Sequence, residues 1–445
     1  MDVYEPEEDS YLLAGFVPVV VKKKSIVLDM GCGSGILSNE AIKHGAYVIG
    51  ADINPNAIIH CKENIPKGIF VTSDLFNYFE QNYIDIVHAH KATPYTHKAT
   101  KYKKKTYKKE DVASIKKRTS KTPRNLFDII LFNAPYLPDA EDPEDIRAYT
   151  TGGKHGYEII ERFLQSAYQF LHDNGTILLV FSNLSKKKKI DELIDKKLYS
   201  FKELGTASLF FEKLYCYSIS KTPVLTHLQK LGVSNLQFYS KGKRGMVYQG
   251  TFKGKKSAIK VLHPKTHAFA SIRREGDNLQ KANALGIGPQ LYYADDLVVI
   301  MAFIEGETII PYIEKQKKKP AKIYAVLKNI LLQLSTLDKK GLKKHEMVRP
   351  LKHIIVRDDV PIMIDFERMS HTQKPGNVSQ YMQFLGGDRF ATIIGLSRSE
   401  GTKLTKEYMK TLDTKPILKK LKELLTKKNI SLQGTKYIKN TLSKK

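Results

Sequence analysis

The sequence predicts two folded units: an α/β fold on a parallel sheet over residues 1–220, then an α+β unit that begins near Lys221. Three observations carry this. Short apolar runs alternate with amphipathic ones through the first 220 residues, the rhythm of a parallel sheet covered on both faces. A glycine-rich turn, Asp29-Met30-Gly31-Cys32-Gly33-Ser34-Gly35, separates the first apolar run from the next amphipathic one. Beyond residue 221 the pattern changes to hairpin-like runs divided by glycine turns, then to a mostly helical half.

The elements follow in order. Ser25 to Asp29 is a buried-type strand, Ile36 to His44 a helix stopped by Gly45, and Ala46 to Ala51 the next strand. Asn56 to Asn64 is helical, Phe127 to Phe132 a strand, Tyr157 to Leu171 a helix and Gly175 to Phe181 a strand. Residues 82–124 interrupt the rhythm with thirteen Lys or Arg against three acids, interleaved with Tyr83, Tyr95, Tyr102 and Tyr107. This basic insertion reads either as a solvated loop or as a tether to RNA or the ribosome, with tyrosines to stack on bases. In the second unit, residues 237–262 read as a hairpin, with runs at Gln237–Tyr239, Met246–Tyr248 and Ser257–Val261 divided by glycine turns, and Ser271 to Ala284 reads as a helix. Residues 221–390 make this unit, and 391–445 a basic helical extension. Within the extension, Pro416 to Leu425 has one apolar face that suits packing against the domain.

At 445 residues and 42% hydrophobic, the chain can build two or three cores. Its net charge of +27 suits a polyanionic partner, though a generally Lys-rich composition would give the same number. Cys32, Cys61 and Cys216 are too scattered for a metal site and fit a reducing compartment. The acidic N-terminus is unlike a signal peptide, and no apolar stretch is long enough to span a bilayer. A cytoplasmic protein without membrane contact is expected.

The glycine turn lets main chain approach a ligand closely, with Asp29, Gly31, Gly33 and Gly35 as the candidate contacts. Asp52 ends the next strand, near where a nucleotide-binding fold holds ribose hydroxyls, and Ser73-Asp74-Leu75 follows a third strand-like run and can face an adenine amine. These features alone suit a dinucleotide oxidoreductase equally well. Asn133-Ala134-Pro135-Tyr136, at the end of an apolar strand, breaks the tie. The Asn133 side-chain oxygen and the Ala134 carbonyl can accept the two N–H bonds of a substrate amide. Pro135 stiffens the loop, and Tyr136 offers a ring to the planar group. Such a grip aims an amide nitrogen, whose lone pair is delocalised, at an electron-poor methyl.

Four motifs occur in one order: Tyr4 to Leu13, the glycine turn, Asn133 to Tyr136, and Thr151-Gly152-Gly153-Lys154-His155-Gly156-Tyr157-Glu158. Residues 1–220, less the insertion, thereby resemble the HemK family of protein-glutamine methyltransferases in its archaeal and eukaryotic branch. The resemblance implies a Rossmann-like fold, S-adenosylmethionine as donor, and a class-1 translation release factor as substrate, methylated on the glutamine of a Gly-Gly-Gln loop. It implies that Ser10, Gly31, Asp52, Asp74 and Leu75 hold the donor, and that Asn133, Pro135 and Tyr136 hold the target side chain. A small zinc-binding activator subunit is implied as partner. Ala134 departs from the Pro usual there, which loosens the loop but keeps the carbonyl. The rival reading is a nucleic-acid adenine-amine methyltransferase, which would need a pocket for a flipped base.

A second set of residues lies downstream. Lys260 is on a strand, Glu275 on the next helix, and a Lys–Glu pair so placed sets the ammonium against phosphate oxygens. Met301 to Glu307 reads as a strand entering a hinge, with Glu305 in it; Glu346 precedes a strand, and Asp365 ends another, where it can hold a metal ion. Residues 228–390 resemble the small atypical protein kinases, of the RIO type and of the kinase subunit of the KEOPS complex. That implies a two-lobed, protein-kinase-like fold, ATP and Mg2+ as cofactors, and serine/threonine phosphorylation. Three positions depart: Glu346 stands for the catalytic Asp, His353 for the metal-binding Asn, and Glu367 for the Gly of Asp-Phe-Gly. A pseudokinase or ATPase scaffold is the alternative.

Overall fold

The protein is described from a computed structural model over residues 3–81, 126–139, 151–242, 245–262, 270–348, 350–387 and 393–427. The predicted basic insertion therefore lies outside the described residues. The chain divides into two compact units, Met1–Gly232 and Val233–Lys445.

The first unit runs α1 (Glu8–Val20), β1 (Ile26–Met30), α2 (Ile36–Lys43), β2 (Tyr47–Asp52), α3 (Pro55–Asn64), β3 (Ile69–Thr72), α4 (Asn77–Gln81) and β4 (Phe127–Asn133). It continues with α5 (Glu158–Phe170), β5 (Leu171–Ser182), α6 (Lys187–Lys196), β6 (Tyr199–Ser208), β7 (Lys213–Lys221) and α7 (Pro223–Lys230). The sheet order is β3-β2-β1-β4-β5-β7-β6, parallel except that β7 runs antiparallel to both its neighbours. The strand order reverses between β1 and β4, so their carboxyl ends open a crevice where such sheets bind ligands.

Side-chain alternation assigns the two faces. Ile129 and Leu131 of β4 join Leu13 and Val17 of α1 and Leu37 and Ala41 of α2 in one core. Phe132 turns the other way, 4.4 Å from the Phe163 ring of α5. On that side Phe76 stacks flat on Phe170, with ring centroids 4.7 Å apart. Local signals set the helix ends: Pro55 opens α3, and the Asn54 side chain caps it by accepting from the Asn56 N–H at 3.0 Å. Lys221 ends β7 in the interior, donating to the Leu171 carbonyl at 2.8 Å and the Gln229 side chain at 2.7 Å, which fastens α7 to this unit.

The second unit begins with β8 (Ser234–Lys241), β9 (Gly245–Phe252) and β10 (Lys255–Leu262), then α8 (Ala270–Asn283), β11 (Leu291–Ala294) and β12 (Val298–Ala302). These strands make an antiparallel sheet in the order β11-β12-β10-β9-β8, in which the predicted hairpin region forms three consecutive strands, β8, β9 and β10. A short β13 (Glu307–Thr308) leads into α9 (Ile309–Gln316) and the long α10 (Pro320–Lys339). Then come β14 (Leu342–Lys343), the hairpin β15 (Ile354–Arg357) and β16 (Val360–Met363), β17 (Ser370–His371), α11 (Asn377–Leu385) and α12 (Arg398–Thr411). Residues 415–427 form a last helix, which buries Ile417, Leu421 and Leu425 in the core with Ile330 and Leu334, as its amphipathic spacing predicts. Among the described residues no helix is long and apolar enough to cross a membrane.

Asp29 of β1 sits at the centre of the first sheet with no solvent exposure. Its Oδ2 accepts the Ser38 hydroxyl at 2.7 Å, whereas Oδ1 is buried with no hydrogen-bond partner. Burial pushes its pKa from 3.8 up to about 6, against the pull of Ser38. Between those values the folded chain holds a proton that the unfolded chain releases. This group's contribution to stability therefore falls as pH rises through that window, by about 1.4 kcal/mol per unit. Asp29→Asn is expected to stabilise the first unit at pH 7.5 by roughly 1–3 kcal/mol and to have little effect at pH 4, measured as urea midpoints at the two pH values. A gain of equal size at both would show that the ionised carboxylate is not the cost.

Candidate active site

A cavity of about 420 Å3 lies at the carboxyl ends of β1, β2 and β4. Its floor is the turn after β1. Gly31 and Gly33 hold φ of 67° and 49°, a region costly for side-chain-bearing residues, so glycine is required for the chain to fold flat under the cavity. Asp52, at the end of β2, orders this turn: one carboxylate oxygen accepts the Gly33 N–H at 2.9 Å and the other the Asn54 N–H at 2.8 Å. Burial pushes the Asp52 carboxyl up, while these N–H groups pull it down less strongly. Asp74 and Leu75 line the wall beyond β3, and Asp74 pairs with Arg162 of α5 at 2.7 Å.

Asn133 ends β4 in the same cavity. Its Nδ2 donates to the Ser10 hydroxyl at 3.2 Å, and its Oδ1 is buried without a hydrogen-bond partner. The oxygen assigned from sequence to the substrate amide is thus the one the protein leaves unmatched. Pro135 and Tyr136 line the adjoining wall. The Tyr136 hydroxyl donates to Asp9 Oδ2 at 3.1 Å, and the Tyr4 hydroxyl to the same oxygen at 3.2 Å. Burial first, then the negative charge of Asp9, raises both phenol pKa values, so both rings stay neutral donors.

Three sequence-selected residues fall elsewhere. Ser10 is buried behind Asn133, orienting its amide rather than lining the cavity. Asp29 lies beneath the sheet end on Ser38. Gly35, with φ of 80°, starts α2 where a Cβ would stand 2.3 Å from Ile65. Both Asp29 and Gly35 hold the turn from behind. Conversely, Tyr4, Asp9, Arg162 and Glu212 line the cavity without having been selected as site residues. Asp9 was within a recognised motif, but no local signal places Glu212, which arrives on the distant β6–β7 connection.

The glycine motif after residue 151 supports the Asn133 loop. Gly152 donates to the Leu137 carbonyl at 2.8 Å, and a Cβ on Gly152 would lie 2.6 Å from the Pro135 carbonyl oxygen. Gly156 has φ of 81°, and a Cβ there would lie 2.3 Å from the Tyr136 carbonyl oxygen. Ser185 donates to that same oxygen at 2.8 Å.

The second unit has its own cluster. Lys260 of β10 meets Glu275 of α8 at 2.5 Å, Asp365 at 3.4 Å and Glu367 at 3.8 Å. Carboxylate oxygens of Glu275, Asp365 and Glu367 lie within 4.8 Å of one another and could hold a metal ion. Burial would lower the Lys260 pKa, but the three carboxylates outweigh it and raise it. Asp365, at φ of 64°, reaches His353 Nδ1 at 3.5 Å. Burial favours the neutral carboxyl there, yet Lys260, Lys344 and His353 hold Asp365 below the usual range. Lys344 is fully buried, donating to the Ile364 carbonyl at 2.9 Å and to that of Asp365, and pairing with Glu346 at 3.3 Å. Glu305 stands apart from the cluster, exposed and paired with Lys256.

Gly156→Ala is expected to destabilise the first unit by roughly 2 kcal/mol, from the left-handed backbone and the Tyr136 collision together. An unchanged urea midpoint would show that the motif does not hold the loop.

A family model described as a methyltransferase domain matches residues 27–109. The MJ0928 protein of Methanocaldococcus jannaschii, assigned as a protein N5-glutamine methyltransferase, is 33% identical over 193 residues, 42% of this chain and 76% of that protein. Mouse methyltransferase HEMK2 is 24% identical over 189 residues, 40% of this chain and 71% of that protein. The solved Mtq2–Trm112 complex of E. cuniculi, responsible for methylation of the eRF1 termination factor, is 23% identical at a TM-score of 0.34, covering 50% of this chain and 100% of the matched one. Through its N-terminal half, the chain belongs to the HemK-type family of protein N5-glutamine methyltransferases, which use S-adenosylmethionine.

Proposed function

We propose that the first unit methylates the side-chain nitrogen of a glutamine in a class-1 translation release factor. The buried, unmatched Asn133 Oδ1 is the observation that carries this reading, because it presents an acceptor where an amide N–H would have to point. S-adenosylmethionine, when bound, would supply an electron-poor sulfonium methyl whose C–S bonding pair stays on sulfur. Gly31, Gly33 and Asp52 would bind the donor at the floor, with Asp74 and Leu75 at its far side. Ser10 fixes the Asn133 amide through Nδ2, so Oδ1 cannot rotate away. With the Ala134 carbonyl as second acceptor, the two substrate N–H bonds are held, and the nitrogen lone pair faces the floor. The nitrogen sheds its surplus proton to solvent. Tyr136, anchored on Asp9, would cover the amide plane. The branch of the family whose motifs the chain carries also suggests a small activating subunit.

Asn133→Ala should lower methyl transfer about 100-fold or more while leaving donor affinity nearly unchanged. Labelled donor is incubated with a release factor and, separately, with DNA and RNA, and the modified atom is mapped by mass spectrometry. Label only in nucleic acid would replace this reading with an adenine-amine methyltransferase.

We infer that the second unit is a kinase-like module that binds ATP with Mg2+. The Lys260–Glu275 pair beside Asp365 supports this: the ammonium is set by one carboxylate, and a second carboxylate remains for a metal ion. Glu346 is engaged by the buried Lys344, which favours nucleotide binding or slow hydrolysis over phosphorylation of a protein hydroxyl. Asp365→Ala is expected to abolish retention of ATP·Mg2+ in equilibrium dialysis. Unaltered retention and hydrolysis would remove the nucleotide assignment and leave the methyltransferase reading untouched.

A further inference from the structure

The β6–β7 connection carries Leu209, Phe210, Phe211 and Glu212. It is a tight, well-rooted turn. The Leu209 N–H donates to the Glu212 carbonyl at 2.7 Å, and the ladder closes at Ser208 opposite Lys213. The Lys213 N–H donates to the Asn183 side chain at 2.8 Å, which fixes the hairpin to the end of β5. On this rigid base Phe210 and Phe211 are 96% and 87% exposed. Their rings meet edge to face, with centroids 5.2 Å apart. Two neighbouring phenylalanines held out in water, while the sheet below has an apolar core to offer, mark a surface that meets a partner.

The partner is identified by what comes next in the chain. Glu212 lines the acceptor cavity with Asn133 and Tyr136, and its Oε1 is buried with no hydrogen-bond partner. The aromatic pair therefore immediately precedes, on the same tight turn, a residue of the cavity wall. A glutamine side chain that reaches Asn133 must bring its flanking main chain across this rim. Aromatic faces pack on peptide planes and Cα–H groups whatever the side chains, and an unmatched carboxylate oxygen accepts a main-chain N–H.

We propose that Phe210 and Phe211 are the docking platform for the acceptor protein, gripping the main chain beside its glutamine while Glu212 accepts an N–H from the same segment. This rests on the glutamine reading of the cavity. Neither phenylalanine is among the residues that line the cavity, so the pair acts on acceptor binding rather than on the transfer step.

The test compares wild type with Phe210→Ser/Phe211→Ser, which keeps the turn length, in steady-state methylation of a recombinant class-1 release factor. The expected result is a KM for the protein acceptor raised at least about tenfold, with kcat at saturation and donor affinity changed less than about twofold. Phe210→Tyr/Phe211→Tyr should restore most of the loss. An unchanged KM in the serine variant would overturn the proposal. So would a halved mass by light scattering with KM preserved, which would assign the platform to a second copy of this chain. Failure of the wild type to methylate any release factor would instead remove the glutamine reading, and the platform's role with it.

Discussion

One side chain organises the first unit. The Asn133 carboxamide is held through its nitrogen by Ser10, and its oxygen is buried facing nothing. A buried acceptor without a donor costs on the order of 1–3 kcal/mol, so the surrounding structure must oppose its collapse. Three contacts do so. The strand β4 is fixed in register between β1 and β5. Tyr136 is tied to Asp9. The glycines at 152 and 156 bring main chain so close under the loop that a methyl group would not fit. The site is rigid because its neighbours leave the loop one position, and that rigidity is what an inert amide nitrogen requires of a catalyst.

The acidic and aromatic groups around this oxygen act together. Tyr4 and Tyr136 both donate to Asp9, which keeps the phenols neutral and the carboxylate in place. Asp52 does for the floor what Asp9 does for the wall, by accepting main-chain N–H groups that would otherwise point at random. The site therefore consists largely of carboxylates that orient neutral groups. Such an arrangement repels phosphates and sits more easily with a peptide acceptor than with a nucleic acid.

The second unit uses charge differently. Lys260 lies among three carboxylates, and Lys344 is buried outright beneath Asp365. Removing one partner from such a buried set leaves an uncompensated charge, which costs several kcal/mol. The cluster is consequently a structural necessity of this core. Glu346, His353 and Glu367 are each matched within it: Lys344 answers Glu346, His353 meets Asp365, and Glu367 approaches Lys260.

Much of this was legible in the sequence because the deciding features are local. Alternating apolar runs gave the parallel sheet, glycines at 31 and 33 the turn, and Asn133-Ala134-Pro135-Tyr136 the end of β4, since each depends on backbone geometry within a few residues. Lys260, Glu275 and Asp365 were also identified, and the tertiary fold brings them together over a separation of 105 residues. What the sequence left undetermined depends on distance in space. Ser10 and Asp29, both selected as donor contacts, support the site from behind, because the buried face of α1 and the register of β1 direct their side chains inward. Glu212 carries no local pattern and enters the cavity only because β7 pairs antiparallel with β5 and returns the β6–β7 turn to the rim. Residue types and spacing are properties of the chain. Which polar atom is left unmatched is decided by packing, where every other group has already found its partner.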